Sequence, residues 1–260
     1  MSLDNLPEVV SREEWLAARK ELLAKEKELT RARDRVNAER RRLPMVRVDK
    51  PYTFDGPDGK VSLLDLFEGR SQLLIYHLMF APDADEACPA CSFWIDNVGR
   101  LTHLHARGTT LAAVSRAPLD KLQRYKRRMG WTLPWYSSFG SDFNYDFHVS
   151  FDASITPVEW NYQDYDQLVR ANPGWEGYTG EEMGVSAFLR RDGDIFHTYS
   201  CFGRGIDLLN GTYNWLDLTA LGRQEDWEQP PGRADGPAMS WLHRHDEYDP
   251  AAIGGAHGPR

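Results

Sequence analysis

Apolar residues fall into three kinds of spacing along the chain. Trp15, Leu22, Leu29, Val36 and Leu43 recur every seventh residue in an otherwise charged stretch, which predicts a helix from about 12 to 43 with an apolar stripe one residue wide. Ser11 and Glu14 have the spacing of a capping box at its start, and Pro44 ends it, because proline offers no amide and pushes its predecessor out of helical dihedrals. The offset positions Ala18, Lys25, Ala32 and Glu39 are poor companions for a coiled-coil seam. Leu73 to Phe80 is a continuous apolar run, as in a strand buried on both faces. Thr110 to Ser115 is a second such strand, and Leu119 to Met129 carries Leu122, Tyr125 and Met129 on one helical face.

Before the first buried strand, Thr53 to Phe67 reads as an extended segment, a Gly-Pro-Asp-Gly turn at 56 to 59 and a short amphipathic piece. Trp135 to Phe139 supplies a further strand. Gly184 to Arg191 and Asp194 to Cys201, joined by Asp192 and Gly193, predict a hairpin, because Asp-Gly takes the positive φ angles of a two-residue turn. A helix from about 207 to 221 closes the series. Alternating strands and helices followed by a hairpin give an α/β fold, a central mixed sheet flanked by helices. The domain reading is a helical arm at 1–44, a core domain at 45–228 with an insert at about 143–178, and a Pro/Gly-rich tail at 229–260.

Charge and composition narrow the classes of function. Lys and Arg number 31 against 39 Asp and Glu, a net charge of −8, so the chain as a whole has no electrostatic footprint for nucleic acid. Residues 12–42 hold eleven Lys or Arg and seven Asp or Glu, leaving the arm positive and the remainder acidic. Docking of the arm on its own body or on a neighbouring subunit follows, and a homodimer through the arm is expected. The longest apolar run, Leu73 to Ala81, is far short of the roughly 20 residues that span a bilayer, so no membrane partner is expected. The opening residues lack the basic and then apolar stretch of a secretory signal, which predicts cytoplasmic residence.

Three cysteines are too few for a disulfide framework. Cys88 and Cys91, in Cys-Pro-Ala-Cys, follow the first buried strand and open a helix expected to run through residues 92–106. Cys88 at the helix N-cap meets unpaired amides and the positive end of the helix dipole, which favour a thiolate. Cys91, one turn deeper, can attack a mixed disulfide formed on Cys88. Asp83, Asp85 and Glu86 oppose a low thiol pKa unless they turn away.

Metal binding is the weaker reading, because no second such pair exists and His103 and His105 are spaced by two residues on the expected helix of the cysteines. A buried structural pair is a further alternative. Cys201 is read as a packing residue with an accessory redox role open. Trp160, Tyr162, Tyr165, Trp175 and Tyr178 in the insert either extend the core or cover Cys88. His243, His245, Asp246 and Glu247 in the tail read as a solvated cluster rather than a metal site.

Cys-Pro-Ala-Cys-Ser-Phe-Trp at 88–94, Ser-Arg-Ala-Pro-Leu at 115–119, Met-Gly-Trp at 129–131, Ser-Ser-Phe at 137–139 and Phe-Asn-Tyr-Asp-Phe at 143–147 resemble the bacterial thioredoxin-like proteins grouped as domain-of-unknown-function family 899. A weaker similarity extends to thioredoxins, glutaredoxins and peroxiredoxins. The resemblance implies a thioredoxin-like fold and a thiol-disulfide oxidoreductase with catalytic Cys88 and Cys91. It implies no organic cofactor, a protein or small-molecule disulfide as substrate, and substrate contact at Trp94, Val185 and Ser186. Gly184-Val185-Ser186-Ala187 departs from the thioredoxin pattern, which has a cis-proline there. Asp85, where peroxiredoxins carry threonine, and the lack of their supporting arginine before Ala187 make a thiol peroxidase the second reading. A non-catalytic binding or scaffold protein on the same fold is the third.

Overall fold

The computed structural model describes residues 6–250. The chain divides into two compact units, one formed by the chain up to Met45 with Trp215–Ser240, the other by Val46–Asn214 with the residues from Trp241 on.

In the first unit, helix α1 spans Arg12–Arg40. Ser11 Oγ accepts the Glu14 amide at 3.2 Å and Glu14 Oε2 accepts the Ser11 amide at 2.9 Å, the expected capping box. No residue of α1 is buried. The other segment of this unit is held by Arg223, whose Nε and Nη2 reach the two Asp217 carboxylate oxygens at 2.7 and 2.8 Å, a two-point geometry that suits a guanidinium.

The second unit is built on an eight-stranded sheet. Its elements begin with strands β1 (Val46–Arg47), β2 (Thr53–Gly56), β3 (Gly59–Ser62) and β4 (Gln72–His77), then helices α2 (Pro89–Asp96) and α3 (Thr102–His105). Strand β5 (Thr109–Ser115), helix α4 (Leu119–Arg128), strand β6 (Trp135–Ser137), helix α5 (Phe143–Asp146) and strand β7 (Ser150–Phe151) follow. Strands β8 (Glu159–Trp160) and β9 (Gln163–Asp164), helix α6 (Tyr165–Ala171) and strand β10 (Gly180–Glu181) lead to the hairpin β11 (Gly184–Arg191) and β12 (Asp194–Phe202), then to the short helix α7 (Gly211–Leu216).

The strand order is β1-β12-β11-β4-β5-β6-β2-β3. β4 pairs parallel with β5 and antiparallel with β11, and β5 pairs parallel with β6. The central four, β12-β11-β4-β5, have the order and directions of a thioredoxin-like fold. At the hairpin turn, Asp192 has φ 54° and Gly193 φ 91°, as the two-residue turn requires.

Alternation along β4 assigns the two faces of the sheet. Leu73 and Ile75 join a core with Phe54, Leu66, Phe67, Val114, Phe143 and Phe188. Tyr76 faces the other way, toward α2. Burying each large apolar side chain is worth about 1.5–3 kcal/mol, so this cluster contributes strongly to the stability of the second unit. Across the end of the sheet, Trp135 Nε1 donates to Ser115 Oγ at 2.9 Å and Ser115 Oγ donates to the Leu78 carbonyl at 2.6 Å. That pair of bonds satisfies the carbonyl where the chain leaves β4 for the cysteine loop.

Three expected elements are shorter or divided. The helix expected through 92–106 stops at Asp96, where Asn97 Nδ2 bonds back to the Phe93 carbonyl at 2.8 Å, and the chain resumes helical form only at α3. His103 and His105 therefore stand on a different helix from the cysteines. The first buried strand ends at His77, three residues before Phe80; the Leu78 amide still bonds the Val114 carbonyl of β5, and beyond it the chain leaves the sheet for the cysteine loop. The helix expected at 207–221 is a 3-10 segment at Gly203–Leu209 followed by α7; Asn210 separates them and its Oδ1 accepts the Tyr213 amide at 3.0 Å.

Candidate active site

The loop between β4 and α2 is fixed from several sides. The Cys88 amide donates to the Met79 carbonyl at 3.0 Å, and the Ala117 amide to the Phe80 carbonyl at 2.8 Å. Lys121 Nζ donates to the Pro82 and Ala84 carbonyls at 3.0 and 2.6 Å. The Phe80 amide donates to Glu181 Oε2 at 3.0 Å, and Arg116 faces the other carboxylate oxygen at 3.6 Å. A loop pinned in this way presents its terminal residue, Cys88, in one geometry.

Cys88 is the N-cap of α2, with Pro89 in the first helical position, where a missing amide costs nothing. The thiol is half-buried, Cys91 is fully buried, and both are free. Hydrogen bonding from the Cys91 thiol lowers the Cys88 pKa to about 6, against an opposing burial effect, with help from the Cys91 and Ala90 amides and the Arg244 charge. Cys88 thus occupies the helix start at which unpaired amides favour a thiolate.

Cys91 is pushed the other way. Burial raises its thiol well above the ordinary range, and the neighbouring Cys88 adds to the rise. The Met79 amide donates to Cys91 Sγ at 3.3 Å and moderates the shift. Tyr76, fully enclosed beneath the pair, is itself raised by burial. The surroundings thus favour the anion at Cys88 and the protonated thiol at Cys91, an asymmetry suited to sequential thiol chemistry.

Of Asp83, Asp85 and Glu86, the three acids expected to oppose ionisation of Cys88, the last is turned away toward two guanidinium groups. Glu86 is bound by Arg128 and by Arg244, the latter at 2.9 Å. A carboxylate that does approach is Glu182, raised to about 7 by burial and by the Cys88 charge. Neither Arg244 nor Glu182 is legible in the sequence as a neighbour of the pair. Arg244 stands in the Pro- and Gly-rich tail, and Glu182 is separated from the hairpin by Met183 alone. The signal that could have drawn attention to Arg244 is the charged run His243 to Glu247.

That run is partly packed. Asp246 and Glu247 pair with Arg128, Arg244 pairs with Glu247, and His245 Nδ1 lies 2.9 Å from Asp96 Oδ2. His243, His245, Asp246 and Glu247 are all exposed, as the solvated cluster expected there requires, and the two acids are paired at the surface with guanidinium groups. Among the described residues there is no group of three or more His, Cys, Asp or Glu arranged to hold a metal.

The expected substrate-contacting residues lie on different faces. Trp94 is buried against Phe93 and Tyr213, its Nε1 donating to the Ile206 carbonyl at 3.1 Å. Val185, buried on β11, is in register with Tyr76 on one side and Cys201 on the other. Ser186 is fully buried between His77 Nε2 and Ser200 Oγ, each at 2.8 Å. Cys201 is half-buried rather than enclosed. The insert aromatics divide: Trp160, Trp175 and Tyr178 pack on a small core of Phe151, Val158 and Leu168. The Tyr178 hydroxyl is raised to about 12, mainly by burial, with a contribution from the Cys88 charge.

Residues 4–248 match a family model described as "Bacterial protein of unknown function (DUF899)". A search of curated proteins finds no match. Among solved structures, a peroxidoxin BcpB from Mycobacterium tuberculosis is 10% identical with TM-score 0.43, covering 65% of this chain and 95% of its own. A PrxQ cysteine-to-serine mutant from Xylella fastidiosa is 13% identical with TM-score 0.39, covering 63% and 89%. A reduced 2-Cys peroxiredoxin from Plasmodium vivax is 12% identical with TM-score 0.38, covering 66% and 94%. Among the described residues no helix is long and apolar enough to cross a membrane.

Proposed function

We propose that this protein, which belongs to the DUF899 family of bacterial proteins, is a thiol-disulfide oxidoreductase acting on a protein or small-molecule disulfide. The observation that carries the reading is the geometry of the pair: Cys88 stands half-buried at the N-cap of α2, and Cys91, one turn deeper, is fully buried with its sulfur held by the Met79 amide.

The Cys88 thiolate attacks one sulfur of the substrate disulfide, forming a mixed disulfide and releasing the other half as a thiolate that takes a proton from water. Bond formation removes the negative charge from Cys88. That charge is one of the causes holding the Cys91 pKa up, so the Cys91 thiol becomes easier to deprotonate once it is needed. Cys91 then gives its proton to solvent and attacks Cys88 Sγ. The second substrate thiolate leaves, and the protein holds a Cys88–Cys91 disulfide. Two electrons have passed to the substrate, and an external dithiol reductant restores the pair.

Reduction of insulin and of hydroxyethyl disulfide, with dithiothreitol as reductant, tests the reading. Cys88→Ser should lower the rate to that of the reductant alone, and Cys91→Ser should accumulate a mixed disulfide detectable by mass. Oxidation of Cys88 by hydrogen peroxide orders of magnitude faster than a free thiol, with disulfide reduction at background, would replace the reductase by a peroxidase. Background rates in both assays would leave the fold as a binding or scaffold protein.

A further inference from the structure

Every nitrogen of the Arg244 guanidinium is engaged around the cysteine loop. Nη2 donates to the Ala87 carbonyl at 2.7 Å and Nε to the Tyr125 hydroxyl oxygen at 2.8 Å. Nη1 lies 2.9 Å from carboxylate oxygens of Glu86 and Glu247. Beyond Tyr125 the bonds continue: its hydroxyl lies 2.8 Å from Ser92 Oγ, and Ser92 Oγ donates to the Cys88 carbonyl at 2.9 Å.

Donor and acceptor roles along this path are forced. A guanidinium only donates, and a carbonyl only accepts. The Ser92 hydrogen is committed to Cys88, so the Tyr125 hydroxyl must donate to Ser92 while its oxygen receives Arg244. The path therefore runs one way, from Arg244 through Tyr125 and Ser92 to Cys88. One side chain holds the carbonyl before the cysteine directly and, through two hydroxyls, adds to the hold of the Ser92 amide on the cysteine's own carbonyl, at 3.0 Å. Its segment is anchored on α2 by Trp241 against Phe93, with centroids 5.8 Å apart, and by His245 on Asp96.

We propose that Arg244 is the positioning residue of Cys88, fixing the peptide on both sides of the sulfur and holding its own positive charge where it favours the thiolate. The inference rests on the reading above that Cys88 is the attacking thiol. The groups facing Cys88 are Cys91 from α2, Arg244 from the C-terminal segment, Glu182 after β10, and the hydroxyls of Tyr76 and Tyr178. Arg244 is the cation of this set and Glu182 the carboxylate that opposes it. Glu86 and Glu247 share the Arg244 charge, which limits the electrostatic part and makes the geometry of the bonds matter.

The test is the pH profile of iodoacetamide alkylation at Cys88 in the full-length protein, read by mass. In Arg244→Gln the midpoint should move up by about one unit, so alkylation near pH 6 slows roughly three- to tenfold. Tyr125→Phe keeps the cation but breaks the path, and should move the profile the same way by less. Arg244→Lys keeps a charge without the fork and should fall between Arg244→Gln and the unmodified protein. Should Arg244→Gln fail to fold, Tyr125→Phe and Arg244→Lys carry the decision.

Unshifted profiles in folded variants overturn the proposal. The outcome is separable from that of the reductase reading. A shifted profile in a protein whose cysteines form no reversible disulfide sustains the role of Arg244 and removes the reaction. A reversible disulfide with an unshifted profile does the reverse.

Discussion

The backbone amide of Met79 donates to Cys91 Sγ at 3.3 Å, at the base of the same loop whose other end carries Cys88. The buried sulfur is thus held inside the fold while its partner stands at the helix end, half-buried. Alkylation of the native protein near pH 7 should modify Cys88, and Cys91 should react only after denaturant is added, because reactivity follows thiolate fraction and access. Peptide mapping after a timed iodoacetamide pulse checks this. Labelling of Cys91 ahead of Cys88 would exchange their roles.

Glu181 gives a second prediction, on stability. Burial raises its carboxyl to about 7, against the lowering effects of Arg116 and the Phe80 amide. The folded state therefore holds a proton that the unfolded state has already lost above its ordinary value near 4.5. Stability from this group is complete below that value and is lost as pH rises through about 7. Glu182, raised for a related reason, contributes with the same sign. Glu181→Gln removes one of the two titrations, so the urea midpoint of this variant should fall less than that of the parent between about pH 5 and pH 7.5. Equal slopes for the two proteins would show that Glu181 titrates normally.

Local signals were the legible part of this fold. Ser11 with Glu14, Asp192 with Gly193, and Cys88 before Pro89 each act through bonds or dihedrals within a few residues, so their outcome could be read directly. The alternation of strands and helices likewise fixed the central sheet order through the short connections it permits. Element ends were less legible, because side chains such as Asn97 and Asn210 compete for backbone groups that a longer helix would have used.

At the site, the cysteine pair was visible and its surroundings were not. Arg244, Glu182 and Glu181 reach the loop from segments distant in sequence, and nothing in their local pattern encodes that approach. Ser186 illustrates the converse. Its place opposite the cysteines in a thioredoxin-like chain suggested substrate contact, whereas its hydroxyl is enclosed between two strands. Main-chain position was readable there, and the direction of the side chain was set by sheet register.

The N-terminal helix yields a third prediction. Leu22 and Leu29 on α1 are 51% and 71% exposed, and an isolated helix with so narrow an apolar stripe gains little from propensity alone. Pairing with a second copy would cover the stripe, and the opposite net charges of the arm and the remaining chain favour such association. Sedimentation at micromolar concentration should show a dimer that weakens on removal of residues 1–44 and on Leu22→Gln with Leu29→Gln. A monomer at low and at high salt would end the dimer proposal.

The fourth prediction concerns the hydrogen-bonded row His197, Ser200, Ser186 and His77. His197 Nε2 lies 3.0 Å from the Tyr199 carbonyl and 2.8 Å from Ser200 Oγ. Since a carbonyl only accepts, Nε2 carries the proton in the bond to Tyr199, and the row continues through Ser200 and Ser186 to His77 Nε2, while the buried Nδ1 of His77 has no hydrogen-bond partner. Burial, with the nearby His197, lowers the His77 pKa to about 3, so the ring is neutral in the folded protein. Its unfolded value near 6.5 means that the unfolded chain binds the extra proton first. Stability from His77 is present above about 6.5 and is lost as pH falls toward about 3. Ser186→Ala removes two buried bonds and strands both neighbours, which should cost about 2–4 kcal/mol in urea unfolding near pH 7. Because Ser186 faces the core, the Cys88 alkylation rate and the KM for hydroxyethyl disulfide should stay as in the parent. A raised KM with unchanged stability would restore Ser186 to substrate contact and remove the row from the structural frame.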